Sequence, residues 1–265
     1  LEISSAADFI RMTRATLAAT GFARKSMGDV VYWESDVHGA DQSPIVLVHG
    51  INDHAGTWFA IAPALAAKHR VIIPDLAGHG ESEPLTGPLP FSLVFDCLET
   101  LIENERDIIL VGNSFGGWLA VLYSLAHPDR VKRLVLEAAG GLARPYASPL
   151  FAHDREQALV ILRNVHGPNF QAPQWVIDAL IERSKDSQML RITEAEKYIL
   201  DDRLADLHVP TTLIWGADDG VIPIEYAEEW RDLIDGSELH VLEGAAHIPH
   251  MQQPGKVLQC LTAIC

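Results

Sequence analysis

Short apolar runs set the rhythm of this chain. Residues 45–48, 71–73, 108–111, 134–136 and 212–214 are nearly continuous in hydrophobic side chains, and 239–242 form a weaker sixth run. Runs apolar on both faces are the mark of strands in a parallel sheet covered by helices on each side. Between them, 57–68, 92–104, 116–126 and 223–234 carry helical spacing. The alternation predicts an α/β fold: a mostly parallel central sheet, helices on both faces, right-handed crossovers. Ahead of this pattern, residues 5–20 place Phe9, Ile10, Met12, Thr13 and Leu17 on one stripe, which predicts a surface helix packed on the core. Residues 21–34 predict a hairpin, with Met27-Gly28-Asp29 as its turn and Val30 to Trp33 as its β-rich arm.

The rhythm breaks once. Between 136 and 212 no core strand is evident. Helical spacing recurs instead over 153–164, 173–184 and 188–200, punctuated by Pro145, Pro149, Pro168 and Pro173. This divides the chain into a core of residues 1–142 and 206–265 and a helical cap insertion of 143–205. The cap is expected over the sheet's C-terminal edge, where α/β sheets bind ligands. It offers Leu150, Phe151, Leu159, Leu162, Phe170, Trp175, Leu180 and Met189. Most of these are expected in the cap's own core, and some in an apolar pocket favouring uncharged ligands over charged ones.

The chemistry centres on Gly112-Asn113-Ser114-Phe115-Gly116, which follows one apolar run and opens the helix after it. A serine on so sharp a strand-to-helix turn presents its hydroxyl above the sheet, and the glycines permit the tight approach. A hydroxyl needs a base to become a nucleophile, and the base needs a carboxylate to hold it. Twelve histidines are available, so position must choose. His247, in a loop just past the last apolar run, is the expected base, with His250 its competitor. For the acid, Asp219 is preferred, on the loop after 212–214. Asp218 beside it and Glu137, which closes the preceding run, remain alternatives. Phe115 and Ile51 are the expected backbone N–H donors of an oxyanion hole. Asn52 is an alternative donor through its side chain. His49 reads as a structural hydrogen-bonding residue beneath that loop.

Composition narrows the reading further. A chain of 265 residues suits one large domain or a core with one insertion. A net charge of -16 argues against nucleic acid as a partner and against an electrostatic hold on anionic lipid. Cys97, Cys260 and Cys265 imply no disulfide framework, and a reducing cytoplasm is the expected compartment. No run approaches the roughly 18 apolar residues that span a bilayer. His49, Asp53 and His54 match no standard metal spacing, and no dinucleotide fingerprint is present, so neither metal nor cofactor is expected.

Taken in order, His49-Gly50, the stretch from Asp75 to Ser82, the Ser114 turn, Trp215 to Asp219 with Pro223, and Gly244 to His247 with Pro254 resemble the α/β-hydrolase superfamily over nearly the whole chain. The resemblance implies a Ser114–His247–Asp219 triad. In branches resembling haloalkane dehalogenases the acid closes the earlier strand, which keeps Glu137 open. The stretch from Ala139 to Leu142 and the cap are similar to monoacylglycerol-lipase-like esterases. The expectation is a serine hydrolase acting on a small-molecule ester by two-step acyl transfer. Its rivals are a C–C bond hydrolase of aromatic ring-fission products and a ligand-binding protein on a hydrolase scaffold. Oligomeric state is not readable.

Overall fold

The computed structural model describes residues 3–36, 42–148 and 150–264. Cys265 and Pro149 therefore lie outside the described residues. Among the described residues ten strands occur in chain order: β1 (Phe22–Met27), β2 (Val30–Ser35), β3 (Ile45–Val48), β4 (Val71–Pro74), β5 (Leu89–Pro90), β6 (Ile108–Asn113), β7 (Val131–Glu137), β8 (Ile192–Thr193), β9 (Thr211–Gly216) and β10 (Glu238–Leu242). Eight of them build one sheet in the order β1-β2-β4-β3-β6-β7-β9-β10. The expected hairpin supplies β1 and β2, whose pairing and that of β2 with β4 are antiparallel. Every pair from β4 through β10 is parallel.

The period-two pattern inside the central strands explains the layers. On β3, Val46 and Val48 belong to one buried cluster, and Ile45 and Leu47 to the other. On β6, Ile108 and Leu110 divide from Ile109 and Val111 in the same way. Each face is covered by helices. On the first face lie α3 (Phe91–Leu101), α4 (Phe115–Ala126) and α8 (Ile224–Leu233). On the second lie α1 (Ala6–Ala19), α2 (Ala62–Ala66) and α9 (Pro254–Ile264), through Leu17, Leu65, Val257 and Leu261. Ser5 caps α1 by accepting the Asp8 amide, and the helix packs on the core as expected.

Two helical expectations are corrected. Residues 57–68 are not one helix but a 3₁₀ turn, Ala55–Ala60, followed by the short α2. Pro63 has no N–H for a continuing ladder and sits in the first turn of α2, so the helix restarts there. Residues 188–200 hold only the single turn α7 (Gln188–Arg191); β8 and a second 3₁₀ turn, Ala195–Tyr198, follow. The β-branched pair Ile192 and Thr193 bridges to Leu89 and Pro90, and Glu194 turns the backbone at φ 65°.

Between β7 and β9 the chain also forms α5 (Arg155–His166) and α6 (Gln174–Ser184). Ala152, Ala158, Ile161, Leu162 and Ile177 make a separate small core there. Leu159, Phe170 and Leu180 pack against it, while Leu150 packs on the main core. Cys97 and Cys260 are half-buried, and burial pushes both thiols up. Among the described residues no helix is long and apolar enough to cross a membrane.

Candidate active site

Ser114 sits between β6 and α4 at φ 54° and ψ −115°, a conformation few non-glycine residues adopt. Its neighbours show why the turn needs glycine. A Cβ on Gly112 would stand 2.4 Å from the Gly116 carbonyl oxygen, and one on Gly116 would stand 2.3 Å from that of Val48. The strained turn is held from both sides. The Ser114 amide donates to the Glu137 carbonyl at 2.9 Å, and the Gly140 amide donates to the Ser114 carbonyl at 3.0 Å. Asn113 Nδ2 donates to the His247 carbonyl at 3.0 Å, so the serine turn is tied to the histidine loop.

Loops at the C-terminal ends of β9 and β10 bring up the other side chains. Asp219 accepts the Val221 and Ile222 amides through Oδ1, at 2.8 and 2.9 Å. Those two bonds aim Oδ2 at His247 Nδ1, 2.9 Å away. His247 Nε2 lies 3.0 Å from Ser114 Oγ. With the ring proton on Nδ1, donated to the carboxylate, Nε2 is left to accept the serine O–H. All three residues are nearly buried, at 8% exposure for Ser114, 7% for His247 and 6% for Asp219. Of the alternatives, Asp218 is exposed and spends its amide on the Ala245 carbonyl. Glu137 and His250 do not enter this run. They pair with each other, at 2.7 Å.

The loop after β3 closes the site. A Cβ on Gly50 would lie 3.3 Å from Ser114 Cβ and 3.2 Å from Asn113 Oδ1, so this loop abuts the serine turn. His49 lies beneath it. Its Nε2 accepts the Leu76 amide at 3.0 Å, which leaves Nδ1 protonated and donating to the Gly50 carbonyl at 2.8 Å. In a trans peptide the carbonyl and the next N–H point in opposite directions. Holding the Gly50 carbonyl therefore aims the Ile51 N–H away from His49. Phe115 is the first residue of α4, where amides are free of helical partners. Asn52, the alternative side-chain donor, has its Oδ1 turned to Ser187 and Met189 of the α6–α7 region.

Charge around the site is uneven. Burial pushes the Asp53 carboxyl up, but the His54 and His49 rings and the His54 amide outweigh it, so its pKa falls below the ordinary value. Burial lowers His79 to about 3 and His166 to about 4. His166 stacks on Phe170 with ring centroids 4.3 Å apart. Among the described residues, no group of three or more His, Cys, Asp or Glu side chains could hold a metal ion.

Sequence reasoning missed two features. One is the buried Glu137–His250–Thr57 run, in which His250 Nε2 lies 3.0 Å from Thr57 Oγ1. The other is the contact of α5 with the site: the His247 amide donates to the Val165 carbonyl, and the Gly220 amide to that of Asn164, both at 3.1 Å. Neither has a local signal, because each joins segments distant in the chain.

Known proteins show the same architecture. The chain is 25% identical to a 2-hydroxy-6-oxononadienedioate/2-hydroxy-6-oxononatrienedioate hydrolase of Cupriavidus pinatubonensis, over 79% of this chain and 82% of that protein. It is 24% identical to a monoacylglycerol lipase of Xenopus laevis, over 84% of this chain and 75% of the lipase. Among solved structures, a membrane phospholipase A superposes with a TM-score of 0.82 at 23% identity, over 97% of this chain and 90% of that one. A meta-cleavage product hydrolase from Pseudomonas fluorescens gives 0.76 at 22%, over 93% and 98%. The profile of the alpha/beta hydrolase family matches residues 45–259, most of the chain, and with this sheet and this serine turn the protein belongs to that family.

Proposed function

We propose that this hydrolase cleaves carboxylic esters of small to medium apolar acyl groups through a Ser114–His247–Asp219 triad and an acyl-enzyme intermediate. The observation that carries the reading is the continuous run from Asp219 Oδ2 through the His247 ring to Ser114 Oγ, at 2.9 and 3.0 Å. Ser114 Oγ attacks the ester carbonyl as its proton passes to His247 Nε2. The carbonyl oxygen becomes an oxyanion, held by the Ile51 and Phe115 N–H groups. His247 then protonates the departing alkoxide, which leaves as the alcohol. Water, deprotonated by the same nitrogen, attacks the acyl-enzyme and releases the acid. Asp219 stabilises the imidazolium at each step. One oxyanion donor is typically worth about 10²–10³ in rate.

Residues 143–205 act in this reading as a cap that shapes the acyl pocket. Two things support it: their small core is separate from the main one, and the α5 carbonyls touch both the acid and the histidine loops. The monoacylglycerol lipase among the relatives supports an ester carrying one acyl chain. A second reading, cleavage of a carbon–carbon bond in an aromatic ring-fission product, is favoured by the dienedioate hydrolase relative.

The test is hydrolysis of p-nitrophenyl esters from acetate to palmitate, beside Ser114→Ala. Turnover abolished by the substitution establishes the esterase, and the preferred chain length sizes the pocket. Negligible turnover on all esters, with cleavage of a ring-fission dienoate, would replace it with the second reading.

A further inference from the structure

Ile51 lies between two anchored residues. On one side, Gly50 rests against the serine turn and its carbonyl accepts His49 Nδ1–H at 2.8 Å. On the other, Asn52 is held by a different part of the chain altogether. Ser187 Oγ–H donates to Asn52 Oδ1 at 2.8 Å, and the Met189 amide donates to the same oxygen at 3.4 Å. Arg183 donates to the Asn52 backbone carbonyl. The side-chain oxygen and the backbone carbonyl of Asn52 are thus both held by α6, α7 and the turn between them. The residue sits at φ 61°, in the left-handed region that asparagine tolerates better than most residues. Ser187 is itself buried, at 1% exposure, so its bond is shielded from competing water.

We infer that Asn52 is a positioning residue: through Ser187 and Arg183 the 143–205 segment sets the Asn52 backbone, and so the aim of the Ile51 N–H at the oxyanion. The inference rests on the esterase reading above. In it the oxyanion hole is completed from outside the core: His49 fixes the Gly50 side of Ile51, and α6 and α7 fix its Asn52 side. The chemistry of Asn52 Oδ1 makes the role testable. Both of its partners donate to it, so an aspartate at this position keeps both bonds and nearly the same shape. A side chain acting directly on the oxyanion would have to donate through Nδ2, which aspartate lacks.

The experiment compares Asn52→Gly, Asn52→Asp and Ser187→Ala with the parent on p-nitrophenyl butyrate, with melting temperatures measured in parallel. Glycine keeps the left-handed backbone accessible while removing the anchor. Asn52→Gly and Ser187→Ala are expected to lower kcat about tenfold or more with KM little changed, because only the transition state carries the oxyanion. Asn52→Asp is expected to keep most of the parental kcat. If Asn52→Gly does not fold, Ser187→Ala carries the same comparison. Asn52→Asp as slow as Asn52→Gly, with Ser187→Ala at parental kcat, would assign Nδ2 a direct role and overturn the inference. A change confined to KM, or none, would overturn it too. A parent without Ser114-dependent esterase activity fails the underlying reading instead, and that is visible before any variant is compared.

Discussion

Glu137 Oε2 lies 2.7 Å from His250 Nδ1, and both side chains are fully buried. These are the two residues that rival Asp219 and His247 for their roles, and they satisfy each other rather than the serine. The pair runs on to Thr57, and the His250 ring lies 4.1 Å from that of Trp58, so it rivets β7 to the loop after β3. Glu137 also offers its backbone carbonyl to the Ser114 amide. Its position is structural support for the serine turn.

The first prediction separates the two carboxylates. Asp219→Asn is expected to lower kcat by about 10⁴, as loss of the correct histidine tautomer does in triads generally. Glu137→Gln is expected to cost about 1–3 kcal/mol of stability through the weakened buried bond while changing kcat less than about tenfold. Urea unfolding and ester turnover on both variants give the comparison. A larger loss of kcat in Glu137→Gln than in Asp219→Asn would hand the acid's role to Glu137.

A second prediction concerns Gly216, the last residue of β9. A Cβ there would stand 2.2 Å from the Ala246 carbonyl oxygen and 2.4 Å from that of Ala245, both backbone atoms. Gly216→Ala must therefore push the loop that carries His247. A displacement of about 1 Å costs about 10² in rate, so kcat/KM should fall by that order. Gly255→Ala, where the added Cβ meets nothing within 4 Å, is the control and should be silent. Parental activity in Gly216→Ala would show that the loop moves without disturbing the histidine.

Acid stability follows from the buried imidazoles. Burial lowers His54, brings His79 to about 3 and brings His166 to about 4. A histidine with a depressed folded pKa contributes stability above its unfolded value near 6.5, and loses it as pH falls toward the folded value. Each such group adds a slope approaching about 1.4 kcal/mol per pH unit well below pH 6.5. His79→Asn keeps a donor for the Ala77 carbonyl that His79 Nδ1 contacts at 3.0 Å. The unfolding free energy of this variant is expected to depend less steeply on pH between 6 and 4 than that of the parent. An unchanged slope in urea titrations would refute the assignment.

Arg191 gives the fourth prediction. Its guanidinium, on a residue only 7% exposed, donates to the carbonyls of Gly87 at 2.8 Å, Pro84 at 2.5 Å and Gly78 at 3.4 Å. It thereby ties α7 to the loop that carries β5. Arg191→Met should destabilise the protein by about 3 kcal/mol, since it removes three charge-assisted hydrogen bonds at once. Limited proteolysis should then cut first between residues 78 and 90. A variant with parental stability and parental cleavage would show that the loop is held by other contacts.

The sheet and its layers were written in the local pattern. Strands apolar on both faces can only lie between two helical layers, and β3 and β6 divide their side chains accordingly. The serine turn was equally legible, because the steric demand at Gly112 and Gly116 acts within a few residues. Helix extent was less so, since Pro63 and the pairing of Ile192 with Leu89 override helical spacing at 57–68 and 188–200.

By itself, then, the sequence determined the alternation of elements, the sharp turn at Ser114 and a short set of chemically able partners: His247 or His250, and Asp219, Asp218 or Glu137. Which of these touch was decided only in three dimensions. His247 meets Ser114 across 133 positions and Asp219 across 28, His250 meets Glu137 across 113, and Ser187 meets Asn52 across 135. Those contacts depend on strand register and on the path of each loop. A hydrogen bond is made or lost within a few tenths of an ångström, a precision that local composition and periodicity do not encode.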